Sequence, residues 1–191
     1  MPAHRNLRDK EKVQDWAKSL FRLPNFYIID TETTGVGKAD EAIQIGIIDK
    51  YGKTIIDTLV KPTRPVPSAA SAVNGISNSM LVDAPTFDEL YVQLSSVLAA
   101  SVLVAYNMDF DWRILQQTSA KYGLPLFNVK TKHCAMIQYA QYYGMWSISK
   151  QQYSWQKLSN ACTQQKIAVV DAHSALGDVR MTLALIEKMA Y

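Results

Sequence analysis

The chain has 191 residues, 48% of them hydrophobic and 19% charged, enough for one domain with a sizeable core and too little for two full ones. Its 20 Lys and Arg against 17 Asp and Glu leave a net charge of +3, which neither requires nor excludes a nucleic-acid partner. The longest mostly apolar stretch, Val97 to Tyr106, is broken by Ser101 and falls well short of the ~20 residues that span a bilayer.

Residues 1–25 read as an N-terminal helical extension and 26–191 as the domain proper. Within the extension Val13, Trp16, Ala17, Leu20 and Phe21 recur at helical spacing before Pro24, so a short amphipathic helix is expected to dock on the domain. Its basic residues (Arg5, Arg8, Lys10, Lys12) read as a solvated face rather than a nucleic-acid arm, and with no apolar core behind them they do not read as a secretory signal, so the expected location is cytoplasmic. Phe26 to Thr33 reads as the first strand, closed by Gly35 and Gly37. Ala42 to Asp49 and, after Tyr51-Gly52, Thr54 to Val60 supply two more strands of an antiparallel meander. Phe87, Leu90, Leu94, Val97 and Leu98 then mark a helix, opened by a capping box at Thr86 and Glu89. Val102 to Ala105 is a short buried strand, Phe110 to Tyr122 a helix closed by Gly123, and Thr131 to Met136 a last strand. Two helices finish the chain. One places Trp155, Leu158 and Cys162 in register behind a cap at Ser154; the other places Leu176, Val179, Leu183, Ile186 and Ala190 behind a cap at Ser174. Strands first and then alternating helix and strand imply an α/β fold, a mixed sheet with helices on its faces. The two cysteines, Cys134 and Cys162, lack any C-x-x-C partner and read as reduced core residues.

Three polar segments interrupt this apolar framework. In Ile28-Ile29-Asp30-Thr31-Glu32-Thr33-Thr34-Gly35, Asp30 and Glu32 are two apart and leave one face of a strand. Such a pair is costly at the end of a core strand unless a cation lies between the carboxylates; alternatively the strand has already ended and both are solvated. Tyr106-Asn107-Met108-Asp109-Phe110-Asp111 follows the buried strand, with Asp109 able to cap the next helix and Asp111 free for the helix dipole or a metal. His173-Ser174-Ala175-Leu176-Gly177-Asp178 opens the last helix, leaving His173 in the preceding loop and Asp178 one turn inside. Taken alone, each segment also fits capping or plain solvation.

D-x-E on the first strand, N-x-x-F-D after a later one and H-x-A-x-x-D at the last helix, in that order, resemble the DEDD exonuclease superfamily in its His-bearing branch. That branch includes the proofreading subunit of bacterial DNA polymerase III, oligoribonuclease and ribonuclease T. The resemblance runs from Phe26 to Met189, with Asn74-Gly75-Ile76-Ser77 and Trp155 to Cys162 agreeing. It implies a ribonuclease H-like mixed five-stranded sheet flanked by helices, with Asp30, Glu32, Asp111 and Asp178 holding two divalent ions, Mg²⁺ or Mn²⁺, and with His173 as general base. It implies substrate contacts from Thr31, Thr33, Thr34, Gly35, Val36, Tyr106, Asn107 and Phe110. Asp109 stands outside the motif, Tyr106 stands where several relatives carry His, and Val36 matches the position that packs on the terminal base.

The expected activity is 3′–5′ exonuclease action on single-stranded DNA, releasing nucleoside 5′-monophosphates. RNA or oligoribonucleotide trimming, proofreading beside a polymerase, and non-catalytic nucleic-acid binding are the alternatives. Expected partners are single-stranded 3′ ends, with a polymerase or a second copy as further candidates and no membrane. The chain ends at Tyr191 directly after the last helix, which, unless the N-terminal helix is the docking element, favours a free-standing enzyme over a polymerase subunit. The aromatic-rich stretch from Gln138 to Trp155 (Tyr139, Tyr142, Tyr143, Trp146, Tyr153) suits either base stacking or core packing.

Overall fold

The structure is a computed structural model that describes residues 3–191, with side chains from residue 7 onward; Met1, Pro2 and the Arg5 side chain lie outside the described residues. Helix α1 (Ala3–Phe21) leads into strands β1 (Phe26–Thr33), β2 (Ala42–Asp49) and β3 (Thr54–Leu59). Helix α2 (Ser68–Asn74), a 3-10 turn (Asn78–Leu81) and helix α3 (Phe87–Leu98) follow, then β4 (Val102–Ala105), α4 (Met108–Lys121), β5 (Thr131–Cys134) and α5 (Ala135–Tyr143). A small hairpin, β6 (Trp146–Ser147) and β7 (Gln152–Tyr153), precedes α6 (Leu158–Gln164) and α7 (Ala175–Ala190).

The sheet runs β3-β2-β1-β4-β5. Tight connections make β1, β2 and β3 antiparallel, whereas the helical crossovers into β4 and β5 make those strands parallel to their neighbours, as the lengths of the connections require. This is the mixed five-stranded α/β sheet expected. Side chains alternate along β1: Phe26 and Ile28 join one core with residues of α1, α5, α6 and α7, while Tyr27 and Ile29 join the opposite core with α3 and α4. Helix α1 spans 19 residues, longer than a short extension, and its buried Val13, Ala17 and Leu20 share the first core with Val179 and Ile186 of α7. Among the described residues, no helix is long and apolar enough to cross a membrane.

The expected caps form at Thr86, whose backbone N–H donates to Glu89 (2.7 Å), and at Ser174, whose Oγ accepts from the Gly177 N–H (3.1 Å). Other boundaries differ from expectation. Helix α4 is capped by Asn107, not Asp109, because the Asn107 carbonyl accepts from the N–H groups of Phe110 (2.9 Å) and Asp111 (3.2 Å), leaving Asp109 exposed in the first turn. Strand β5 stops at Cys134 because the Met136 N–H turns to the Tyr106 carbonyl (2.8 Å) and α5 begins. Helix α6 starts at Leu158, not behind Ser154. The Ser154 N–H donates to the Met145 carbonyl (2.7 Å) and the Gln156 carbonyl accepts the Tyr106 hydroxyl (2.7 Å), so 154–156 is held outside the helix. Cys162 is fully buried as expected, but Cys134 is only half-buried, its thiol donating to the Tyr106 carbonyl at 3.3 Å. Tyr139 is buried with Tyr142 and Tyr143 stacked on it, and Trp146 meets Tyr153 edge-on at 5.2 Å, so these aromatics pack among themselves.

Candidate active site

Strand alternation sends Asp30 and Glu32 to the face covered by α7 and Thr31 to the face covered by α4. Helix α7 approaches that end of the sheet closely because its neighbour on β2 is Gly46: a Cβ there would lie 2.7 Å from the Ala175 carbonyl carbon. Beside it, Gln44 Oε1 accepts from the Ala175 N–H (3.1 Å). In the β1–β2 register Gly46 pairs with Asp30 and Gln44 with Glu32, so the residues opposite the two acids are the ones that seat α7. Asp178, in the first turn of α7, is thereby delivered to them. One oxygen each from Asp30, Glu32 and Asp178 lie within 4.8 Å of one another.

Asp111, in the first turn of α4, is 3% exposed, and its Oδ1 accepts from both the N–H (3.0 Å) and Oγ1 (2.8 Å) of Thr31. It stands slightly apart from the other three yet lines the same pit, about 160 Å³, together with Asp30, Glu32, Asp178, Tyr106, Asn107, Phe110 and His173. His173 is exposed in the loop before α7 with φ +66°, and its backbone N–H donates to Asp178 Oδ1 (3.3 Å). Gly177 lets this loop fold back on the helix, since a Cβ there would collide with the Asp171 carbonyl.

The pit is electrostatically frustrated without a cation. Burial, then the charges of Asp111, Asp178 and Glu32, hold the Asp30 carboxyl well above the usual range. Burial and then Asp178 push Glu32 up to about 7. Burial also pushes Asp111 up to about 7, against the opposing pull of its two Thr31 hydrogen bonds. Asp178 is raised by burial and partly relieved by the His173 N–H and imidazole. None of the described residues lining the pit is lysine or arginine, so beyond the His173 imidazole beside Asp178 no basic side chain there offsets this charge. The donor set is carboxylate oxygen, which fits a hard divalent cation such as Mg²⁺ or Mn²⁺.

The loop after β1 is held by its own contacts. Thr33 Oγ1 donates to the Gly35 carbonyl (2.7 Å), Thr34 Oγ1 to Asp40 Oδ1 (2.8 Å), and the Gly37 N–H to Asp40 Oδ2 (2.6 Å). A Cβ at Gly35 would lie 2.7 Å from Asp40. From α4, Arg113 donates to the carbonyls of Val36 (3.1 Å) and Gly37 (3.0 Å), and Gln117 to that of Gly37 (3.1 Å). The hydroxyls of Thr31, Thr33 and Thr34 are therefore spent inside the protein, whereas Val36 is 79% exposed. Phe110 is half-buried beneath Arg113, and Tyr106 is buried with its hydroxyl on Gln156.

A groove of about 470 Å³ adjoins the pit, sharing Tyr106, Asn107, Leu158, His173 and Asp178 and adding Met136, Trp155, Gln156, Lys157 and Ser159. A larger cavity, about 740 Å³ between Phe21, Tyr51, Ile167 and Tyr191, shares no residue with the acidic cluster. Gln44, Gly46, Arg113, Gln117 and the groove residue Trp155 were absent from the sequence-based site. Gly46 carried a signal, being a glycine inside a β-rich apolar run, the mark of a close backbone approach, and Trp155 closes the aromatic-rich stretch that also suited base stacking.

Acidic side chains converging from the first strand and two helices of such a sheet define a nuclease of the ribonuclease H-like fold. The RNase T exonuclease family matches residues 27–186, and the chain belongs to it. It is 40% identical over 168 residues to an uncharacterized exonuclease, CP81, of Escherichia phage 186, covering 85% of this chain and 86% of that one. It is 33% identical over 182 residues to the DNA polymerase III subunit epsilon of Treponema pallidum, covering 93% and 81%. Among solved structures it resembles exonuclease X in complex with 5′ overhanging duplex DNA, with a TM-score of 0.63, 26% identity, and coverage of 86% of this chain and 90% of that one.

Proposed function

We propose that the protein degrades single-stranded DNA from its 3′ end, releasing nucleoside 5′-monophosphates. In this reading Asp30, Glu32, Asp111 and Asp178 hold two divalent ions, Mg²⁺ or Mn²⁺, and His173 is the general base. The observation that carries it is the convergence of three carboxylate oxygens within 4.8 Å in a pit without a basic wall. Ions bound there would supply the positive charge that activates a water and stabilises the leaving 3′ oxygen.

The chain's own residues divide the remaining work. Asp30 and Glu32 offer oxygens from a rigid strand and Asp178 from a helix seated on it, so their spacing is set by the core. Thr31 fixes the orientation of Asp111 through two hydrogen bonds to one of its oxygens. His173 stands at the open side of the pit, where its imidazole takes the proton of the attacking water and passes it to solvent. DNA as substrate is supported by the polymerase III subunit and the DNA-bound exonuclease X among its relatives. We place the enzyme in the cytoplasm, where the free cysteines Cys134 and Cys162 stay reduced.

The test is turnover of 5′-labelled single strands of DNA and RNA of one sequence with Mg²⁺, with Mn²⁺ and with chelator, against Asp178→Asn. The expected result is stepwise shortening from the 3′ end, faster on DNA, absent in chelator and reduced by several orders of magnitude in a variant that still folds. Full turnover by Asp178→Asn in saturating metal overturns the assignment, and faster shortening of RNA overturns the substrate class.

A further inference from the structure

The groove beside the acidic pit holds a feature that hydrolysis at the pit leaves unused. Trp155 is 58% exposed there, although a tryptophan ordinarily buries most of its ring. Its exposure is built in, because both neighbours are tied down. The Ser154 N–H is bonded to the Met145 carbonyl (2.7 Å) and the Gln156 carbonyl to the Tyr106 hydroxyl (2.7 Å). The Gln156 side chain spans from the Ser154 carbonyl (3.0 Å) to the Gln164 amide (3.1 Å). The backbone that carries the indole is thus held on both sides while the ring itself is left to the groove. Lys157, two residues after Trp155 and exposed on the same wall, adds a cation.

We infer that Trp155 is the stacking platform for the base immediately upstream of the scissile phosphate, with Lys157 facing the next phosphate. This inference rests on the nuclease reading above and deepens it. The groove and the pit share Tyr106, Asn107, Leu158, His173 and Asp178, so a phosphate at the carboxylates has the groove directly on one side. The pit is about 160 Å³ and the groove about 470 Å³, so the groove is the part with room for the continuing strand. An aromatic ring and a lysine along such a wall match the alternation of bases and phosphates in a single strand, without selecting a base.

The experiment compares wild type, Trp155→Ala and Trp155→Phe on two substrates in Mn²⁺. One is single-stranded oligothymidylate. The other is the p-nitrophenyl ester of thymidine 5′-monophosphate, which has a leaving group but no upstream base. For Trp155→Ala the inference expects KM on the oligonucleotide to rise about tenfold, equivalent to about 1.4 kcal/mol, with kcat kept and the ester hydrolysed as by wild type. Trp155→Phe should recover most of the loss. An unchanged oligonucleotide KM overturns the inference, as does an equal loss on both substrates, which would make Trp155 a structural support. A wild-type protein that hydrolyses neither substrate overturns the nuclease reading itself, and this inference with it.

Discussion

Neutralising Glu32 should stabilise the metal-free protein while abolishing its usefulness for hydrolysis. Burial and the charge of Asp178 raise this carboxyl from the ordinary 4.5 to about 7. Between those values the folded protein keeps a proton that the unfolded chain has released, so stability falls as pH rises across the window, and the loss is complete above about pH 7. Each unit of the difference is worth about 1.4 kcal/mol, so the anion costs the fold about 3 kcal/mol at pH 8. Glu32→Gln keeps the shape of the side chain and removes that cost. For a chain of this size the gain corresponds to a rise in Tm of about 6–12 °C, read by thermal unfolding in chelator. At pH 4, where Glu32 is mostly protonated in both states of the wild type, the two proteins should melt nearly together. Saturating Mn²⁺ should close the gap at pH 8 from the other side, because wild type gains a ligand the variant holds poorly. A variant no more stable than wild type at pH 8, or one equally more stable at pH 4, would refute the argument that unbalanced negative charge strains this pit.

The other parts of the site make separate predictions. His173→Ala should lower turnover by about 10²–10⁴ while leaving the rise of Tm with Mn²⁺ intact; loss of that rise would mean the histidine supports the metal site rather than the proton transfer. Gly46→Ala should push α7 away from β2, costing about 1–3 kcal/mol in urea unfolding and lowering kcat through displacement of Asp178. Turnover unchanged in that variant would show that the close approach at Ala175 does not set the carboxylate spacing. Thr31→Val keeps the backbone hydrogen bond to Asp111 and removes the hydroxyl one; Mn²⁺ affinity by calorimetry should fall about 10–100-fold, and an unchanged affinity would leave Asp111 outside the binding set.

What was legible in the sequence was whatever local spacing encodes. The period-2 run into Asp30 and Glu32 and the capping residues Thr86 and Ser174 each depend on residues a few positions apart, whereas the three polar segments, spread from Asp30 to Asp178, were read together through the family resemblance. The antiparallel meander and the helical crossovers followed from connection lengths. Boundaries failed where a distant hydrogen bond outbid local preference. Trp155 reads as part of a helical stripe until the Tyr106 hydroxyl takes the carbonyl of Gln156, 50 positions on, and holds the segment outside the helix. The same limit explains why Thr31 reads as a substrate contact and turns out to hold Asp111, which is 80 positions on. It explains Gly46 and Gln44 as well. Their part in seating α7 comes from standing opposite Asp30 and Glu32 across the β1–β2 ladder, and cross-strand register is a property of the pairing. The acidic residues are legible because their ordered motifs resemble those of a known family. Their supports are chosen only by what the fold sets against them, and substitutions at Gly46 and Thr31 therefore probe the geometry of the pit without touching its charge.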